Sequence, residues 1–105
     1  MSILPEELLE RNLKKADKEI HQICSLLGFT NHVKEKSYKL YKKSLETGII
    51  RGYLIEGMVS ACVYVTLRLQ NNSTELEDIA KAAKVDKTKL EDCYNTLVSR
   101  LKLTI

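Results

Sequence analysis

The sequence predicts an all-α fold formed by one domain, and three observations support this prediction. The chain has 105 residues, a length typical of a single hydrophobic core. It contains one proline, four glycines and six aromatic residues, too few for a turn-rich β-sandwich. Apolar residues recur at intervals of three and four along most of the chain, which is the spacing of amphipathic helices. We therefore expect residues 1–105 to form one helical domain.

The first two helices are predicted from apolar stripes and from signals at their ends. The first begins near Leu8 and ends at Gly28, a residue suited to a left-handed cap. The second begins at about Asn31, a favourable N-cap residue, and runs to Gly48 with its lysines on the outer face. By default, that basic face is a solvated surface.

The third helix is predicted over residues 54–67, where almost every side chain is apolar or small. Such a helix must be surrounded by other helices, so we expect it at the centre of the fold. Its β-branched residues would also suit a strand. The segment is longer than a normal strand, however, and lacks the alternation of apolar and polar residues.

Two shorter helices are predicted near the end of the chain. Thr74 and Glu77 fit a capping box, which predicts a fourth helix ending near Lys84. Asp86 is a natural N-cap for a fifth helix. The predicted buried stripe of the fifth helix contains Leu90, Cys93, Tyr94, Leu97, Val98 and Leu101.

These last two helices have the spacing of a helix-turn-helix pair. The pattern consists of Ile79, Ala80, Ala83, Val85, Leu90 and Cys93. In a functional interpretation, the start of the last helix faces a partner, with DNA as one candidate, through Lys87, Thr88, Lys89 and Glu91. In a structural interpretation, the two helices simply pack in a bundle. The spacing alone favours neither.

Composition indicates which kinds of partner and cellular location to expect. Seventeen basic and fourteen acidic residues give a net charge of +3, which permits contact with nucleic acid without requiring it. Cys24, Cys62 and Cys93 are widely spaced among apolar neighbours, which favours free thiols in a reducing cell interior. There is no signal-peptide pattern, and the longest apolar run, residues 58–67, is too short to span a bilayer. We expect a soluble intracellular protein with no membrane partner.

No residue pattern predicts catalysis. The carboxylates fall on exposed helical faces, and no glycine-rich phosphate loop occurs. His21 and Cys24 are spaced so that both could touch a metal ion, but two further ligands at zinc spacing are missing. We expect neither an enzyme nor a bound metal or cofactor.

A series of short motifs follows one order along the chain. They are Glu10-Arg11-Asn12-Leu13, Gly48-Ile49-Ile50-Arg51-Gly52, Ile55-Glu56, Ala61-Cys62-Val63-Tyr64 and Arg68, then Leu76, Ile79-Ala80, Val85-Asp86-Lys87, Leu90, Tyr94, Leu97-Val98 and Leu101. Together they resemble the first core repeat of the transcription factor IIB family, archaeal members especially, over residues 10–105. The resemblance implies a five-helix cyclin-like fold.

The resemblance also implies a function and a set of partners. Relatives are not enzymes; they dock on TATA-binding protein, contact promoter DNA beside the TATA element and help to recruit RNA polymerase. A DNA-contacting turn of the family corresponds to residues 51–53, and two basic residues near the TATA-binding-protein surface correspond to residues 87 and 88. We assign DNA contact to Arg51, Gly52, Tyr53 and Lys89, and partner contact to Lys87 and Thr88. The alternative to DNA contact for Arg51 is that it is an ordinary surface arginine after a helix end.

Several positions depart from the family pattern. Ser73-Thr74-Glu75 replaces Pro-Arg-Thr, Glu91-Asp92 replaces Gly-Arg, and Asn95 replaces a cation. Because these changes remove phosphate partners and add repulsion, we expect only weak binding to promoter DNA. The zinc ribbon and second cyclin repeat of longer relatives are missing, so the chain is either an excised domain or a reduced family member.

An alternative function follows from these departures. The domain would be a cyclin-fold protein-interaction module or regulator with little direct DNA binding, using Lys87 or the lysine-bearing helix at residues 34–43. For either function we expect the protein inside an archaeal cell, or in the nucleus of a eukaryote.

Overall fold

The protein is described by a computed structural model that covers residues 6–49 and 55–104. These residues form five helices and no β-strand. The helices are α1 (Glu6–Leu27), α2 (Asn31–Glu46), α3 (Ile55–Leu69), α4 (Leu76–Ala83) and α5 (Lys87–Arg100). The predicted all-α class and the predicted order of five helices are confirmed.

Helix α3 lies at the centre and packs against each of the other four helices. Its residues from Gly57 to Val63 are buried without interruption, as are Val65, Thr66 and Leu67. Burying one large aliphatic side chain contributes about 1.5–3 kcal/mol, so this helix supplies much of the apolar burial that stabilises the fold. The prediction of an apolar central helix is confirmed. Leu54, where that helix was predicted to begin, lies outside the described residues.

Polar side chains on the central helix are buried, and each has a hydrogen-bond partner. Ser60 donates to the carbonyl of Glu56 at 2.8 Å, and Thr66 donates to the carbonyl of Cys62 at 2.9 Å. The Ser37 hydroxyl of α2 donates to Thr66 Oγ1 at 3.3 Å. No buried side-chain nitrogen or oxygen in residues 6–49 and 55–104 lacks a partner. These groups therefore join α2 to α3 without the cost of an unsatisfied polar atom.

A second polar link joins α1 to α2. Tyr41 is fully buried, and its hydroxyl donates to Oδ1 of Asn12. A buried tyrosine needs such a partner for its hydroxyl. Asn12 belongs to the first motif of the family resemblance, so that motif includes a residue that fixes α1 against α2.

Helices α1 and α2 each end shortly before a glycine. Gly28 and Gly48 have φ angles of +74° and +78°, left-handed values that glycine adopts without strain. After Gly48, the Ile49 N–H turns back to the Ser44 carbonyl at 3.1 Å. This bond completes a Schellman motif and places Ile49 in the core.

The N-cap predicted for α2 was wrong by one residue. Thr30 is the cap: its backbone is extended, and its side-chain oxygen accepts from the Val33 N–H at 3.4 Å. Asn31 is therefore the first helical residue. Threonine and asparagine are both favoured at this position, so local sequence does not choose between neighbours.

The predicted capping box at the start of α4 was also wrong. Glu75 occupies the N-cap position, and its side chain makes no capping hydrogen bond. The Thr74 hydroxyl instead donates to Oδ1 of Asn72. Glu77 reaches Lys87 rather than a backbone N–H at its own helix start. A contact with a residue ten positions later thus replaces the local capping interaction.

The two C-terminal helices pack on each other and on α3. Ile79 and Leu90 are fully buried, while the small residues Ala80 and Ala83 lie buried between the helices and the core. The residues of the helix-turn-helix spacing therefore pack the two helices, as the structural interpretation expects. Whether the start of α5 also faces a partner is a separate question about its exposed side.

Helices α3 and α5 approach closely at Gly57. A β carbon at this position would lie 3.2 Å from the Sγ atom of Cys93. A residue larger than glycine therefore has to displace the Cys93 side chain or move α5.

Replacing Gly57 with valine should lower the free energy of unfolding by about 1–3 kcal/mol, because the added methyl groups overpack this contact. Urea denaturation measures the loss. Combining Gly57→Val with Cys93→Ala removes the obstructing sulfur and should recover part of it in a double-mutant cycle. Strictly additive effects would show that the two residues do not constrain each other.

Candidate functional site

The first turn of α5 brings together three of the residues predicted from the sequence. Asp86 caps the helix, and its Oδ1 accepts from the Thr88 N–H at 2.8 Å, as expected for the predicted N-cap. Leu90 is fully buried and fixes this turn to the core. Lys87, Thr88 and Lys89 are all exposed. The fold therefore presents them as a short polar surface on a capped helix end.

Lys87 is already engaged by an acidic residue. Its Nζ lies 3.0 Å from Oε1 of Glu77, which joins the start of α5 to the first turn of α4. The hydrogen bond to Glu77 raises the pKa of Lys87, and the same bond lowers the pKa of the Glu77 carboxyl. Both side chains are at least half exposed, so water screens the pair and a stronger anionic partner can displace Glu77.

Lys89 has no ion pair among the described residues, but acidic groups follow it on α5. Glu91 and Asp92 are both exposed. An anionic ligand at Lys89 would therefore meet repulsion from the next turn of the same helix. The local field is mixed rather than strongly positive.

The predicted DNA-contacting turn, Arg51, Gly52 and Tyr53, lies outside the described residues. The structure therefore neither joins it to the first turn of α5 nor separates it from that turn, and its role stays a prediction.

A more strongly basic surface lies on α2. His32, Lys36, Lys39 and Lys43 follow one another at intervals of four, three and four residues, which puts them on one side of the helix. They line a shallow groove between α2 and α3 together with Leu40, Thr66, Leu69 and Gln70. From the sequence, these lysines are by default a solvated face and, in the alternative function, a surface for a protein partner. Their regular spacing was the signal in the sequence for a basic surface. The apolar residue Leu69, which α3 adds to the groove, comes beside them only through tertiary packing.

The two residues of α1 that could have shared a metal ion, His21 and Cys24, differ in their exposure to solvent. Cys24 is fully buried, whereas His21 is exposed and its Nδ1 lies 2.9 Å from the carbonyl oxygen of Asp17. Residues 6–49 and 55–104 contain no group of three or more histidine, cysteine, aspartate or glutamate side chains arranged to hold a metal ion.

All three cysteines are free and buried. Burial raises the pKa of the Cys24 and Cys93 thiols to about 11 and that of Cys62 further. Burial likewise raises the pKa of Tyr41. These thiols are therefore protonated at neutral pH and have the properties of packing residues rather than nucleophiles.

None of the helices in the described part of the chain combines the length and the hydropathy needed to cross a membrane.

Four helices packed around a buried fifth, central helix define a cyclin-like all-α domain. The family described as "Transcription factor TFIIB repeat" matches residues 9–100, and the chain belongs to this family. The resemblance recognised in the sequence is thereby confirmed.

Similar proteins from archaea carry one name. Proteins called "Transcription initiation factor IIB" from Ignicoccus hospitalis and Pyrococcus furiosus are 32% and 38% identical to the chain over 92% and 90% of its length. A protein of the same name from Methanocaldococcus jannaschii is 36% identical over 91% of the chain. The chain spans 31%, 32% and 14% of these three relatives.

The buried thiols predict that stability falls at alkaline pH. In the unfolded chain, cysteines release protons near their ordinary pKa of 9.0, whereas Cys24 and Cys93 hold theirs until about 11 in the folded state. The unfolded state then binds fewer protons, so the free energy of unfolding decreases as pH rises from 9 to 11. Below this window the contribution is fully present.

Urea denaturation at a series of pH values across that window measures the effect. Cys93→Ala should make the decrease less steep, because one of the titrating thiols is removed. A free energy of unfolding that is flat up to pH 11 would contradict the burial of these groups.

Proposed function

We propose that the domain acts in transcription initiation as a non-catalytic docking module. It binds TATA-binding protein and, weakly, promoter DNA, and thereby supports recruitment of RNA polymerase. The observation that carries this proposal is the family match over residues 9–100, together with relatives named transcription initiation factor IIB. We further propose that residues 1–105 work as one such domain in the cell interior.

The first turn of α5 supports the proposed contact with TATA-binding protein. Lys87 and Thr88 are exposed there, and the Asp86 cap and the buried Leu90 hold the helix end in place. A preorganised helix end loses little conformational entropy on binding. Lys89, on the same turn, is the proposed contact for a DNA phosphate. This contact is proposed in addition to the one predicted for residues 51–53.

The charges around this turn explain why the proposed DNA affinity is weak. A phosphate has to compete with Glu77 for Lys87 and approach Lys89 past Glu91 and Asp92. Each phosphate contact adds roughly −0.9 to the slope of log K against the logarithm of the salt concentration. Because few cations are available here, we expect this slope to be shallow. TATA-binding protein would then supply most of the affinity of a ternary complex.

One observation favours a second function, a protein-interaction module or regulator with little DNA binding. The cations of α2 are more numerous than those at the start of α5, and none of them takes part in an ion pair within the described residues. In this alternative, reversing the charge of Arg51 leaves partner binding intact.

Fluorescence anisotropy with a labelled TATA duplex, with and without TATA-binding protein, tests the leading function. We expect weak, salt-sensitive binding that strengthens when TATA-binding protein is present. Lys89→Glu should lower the salt slope by about 1, because one phosphate contact is lost. Lys18→Glu makes the same charge change at an exposed position of α1 and should leave the slope unchanged.

Absence of any ternary complex at low salt, with a protein shown to be folded by circular dichroism, would overturn the leading function. Arg51→Glu separates the two functions. Loss of the ternary complex in this variant supports the DNA contact, whereas full retention supports the protein-interaction module.

A further inference from the structure

We propose that the groove between α2 and α3 binds an acidic protein segment that also carries apolar side chains. This α2–α3 groove has a cationic wall on α2 and an apolar floor. The residues that line the wall and the floor include His32, Lys36, Lys39, Leu40, Lys43 and Leu69.

The cationic wall forms no ion pair with an acidic residue in the described part of the chain. Helix α2 contains five lysines and two glutamates, so it alone carries the net charge of +3 that the whole chain has. The groove lysines are exposed, and no ion pair between described residues includes them. An acidic ligand would therefore meet a positive surface that nothing in the described chain neutralises.

The spacing of these lysines adds a reason for an acidic partner. Lys36 and Lys39 are three residues apart and Lys43 follows four later, so adjacent ammonium groups repel each other along the helix. Carboxylates placed between the lysines would relieve the repulsion.

The floor of the groove distinguishes between classes of ligand. Leu69 at the end of α3 is 51% exposed although it is a large apolar residue, and Leu40 beside it is half-buried. A sugar-phosphate chain gains little from covering leucine, whereas an apolar side chain of a peptide removes this surface from water. Among the described lining residues only His32 has a ring on which a base could stack, and there is no tyrosine, phenylalanine or arginine beside it to form a stacking platform. These features favour an acidic peptide over a nucleic acid.

The length of the groove fits a short helical or extended segment. Lys43 follows His32 by eleven residues, so the cationic wall is roughly 16 Å long, or about three helical turns. A partner of this length can direct its carboxylates towards α2 and its apolar side chains towards Leu40 and Leu69.

The inference deepens the second proposed function, the protein-interaction module, on which it rests, and does not depend on the leading function. The groove is built by α2 and α3, whereas the proposed TATA-binding-protein contact lies on α5. Its test contains neither TATA-binding protein nor promoter DNA, so each proposal can fail without the other.

The test uses a fluorescent synthetic peptide of glutamate and leucine about three helical turns long. Its leucines are spaced alternately three and four residues apart, so that they share one face of a helix. A second peptide has serine in place of leucine, and a third probe is a duplex without a TATA element. Fluorescence anisotropy measures binding of each probe to the full chain and its variants. Circular dichroism confirms that each variant is folded.

Two matched pairs of variants locate the binding site. Lys39→Glu should weaken binding of the leucine-containing peptide about tenfold, whereas Lys42→Glu, on the same helix but outside the groove lining, changes it less than about twofold. Leu69→Asn should weaken it about fivefold by removing the apolar floor, whereas Leu26→Asn, at a 69% exposed leucine of α1, has no effect. The serine peptide should bind more weakly than the leucine peptide.

Three results would overturn the inference. Equal losses from Lys39→Glu and Lys42→Glu would mean that only net charge matters. Full binding by Leu69→Asn would show that the apolar floor is not used. Binding of the duplex in preference to the peptide, lost in Lys39→Glu and kept in Leu69→Asn, would identify a nucleic-acid surface instead.

Discussion

Burial of α3 on all sides is the constraint on which the rest of the structure depends. The other four helices each pack against it, so each needs only one apolar stripe and leaves its opposite face to solvent. The glycine at position 57 is part of this constraint, because α5 comes within reach of a β carbon there. The polar residues of α3 satisfy their hydrogen bonds internally or with Ser37 of α2. The central helix is thus held in one register by packing and by hydrogen bonds together.

This arrangement separates the start of α5, where the charges are mixed, from the basic surface of α2. The start of α5 is fixed by Leu90 below and by the Asp86 cap, while α2 is fixed by Tyr41 and by the link from Ser37 to Thr66. Both surfaces rest on the same core, so a cavity in α3 would weaken both. Substitutions on their exposed sides should act separately, because Lys87 pairs with Glu77 of α4, whereas α2 packs on α1 and α3. If both proposed contacts are made, one repeat would engage two partners with a single hydrophobic core.

Much of the fold could be predicted because its signals are local. Gly28, Gly48 and Asp86 mark helix ends through backbone conformation or capping that neighbouring residues determine. The N-cap of α2 was wrong because two neighbouring residues both suit that position, whereas the capping box of α4 was wrong because of a contact that sequence proximity does not reveal. Glu77 fits a local capping box, yet it pairs with a lysine on the next helix. The groove could be foreseen only in part: the lysine spacing is visible in the sequence, but its floor combines Leu40 of α2 with Leu69 of α3 and so depends on tertiary packing. The family resemblance provided the candidate residues of α5, and the structure provided their exposure and their acidic neighbours.

The proposal that the start of α5 is the docking surface for TATA-binding protein is tested most directly by NMR. The isotope-labelled chain would be titrated with TATA-binding protein bound to a TATA duplex, and amide chemical shifts would be followed residue by residue. We expect the largest changes at Lys87, Thr88 and Lys89, with little change at Lys36 and Lys39 of α2. Large changes confined to α2, with none at the start of α5, would contradict this assignment and favour the protein-interaction alternative.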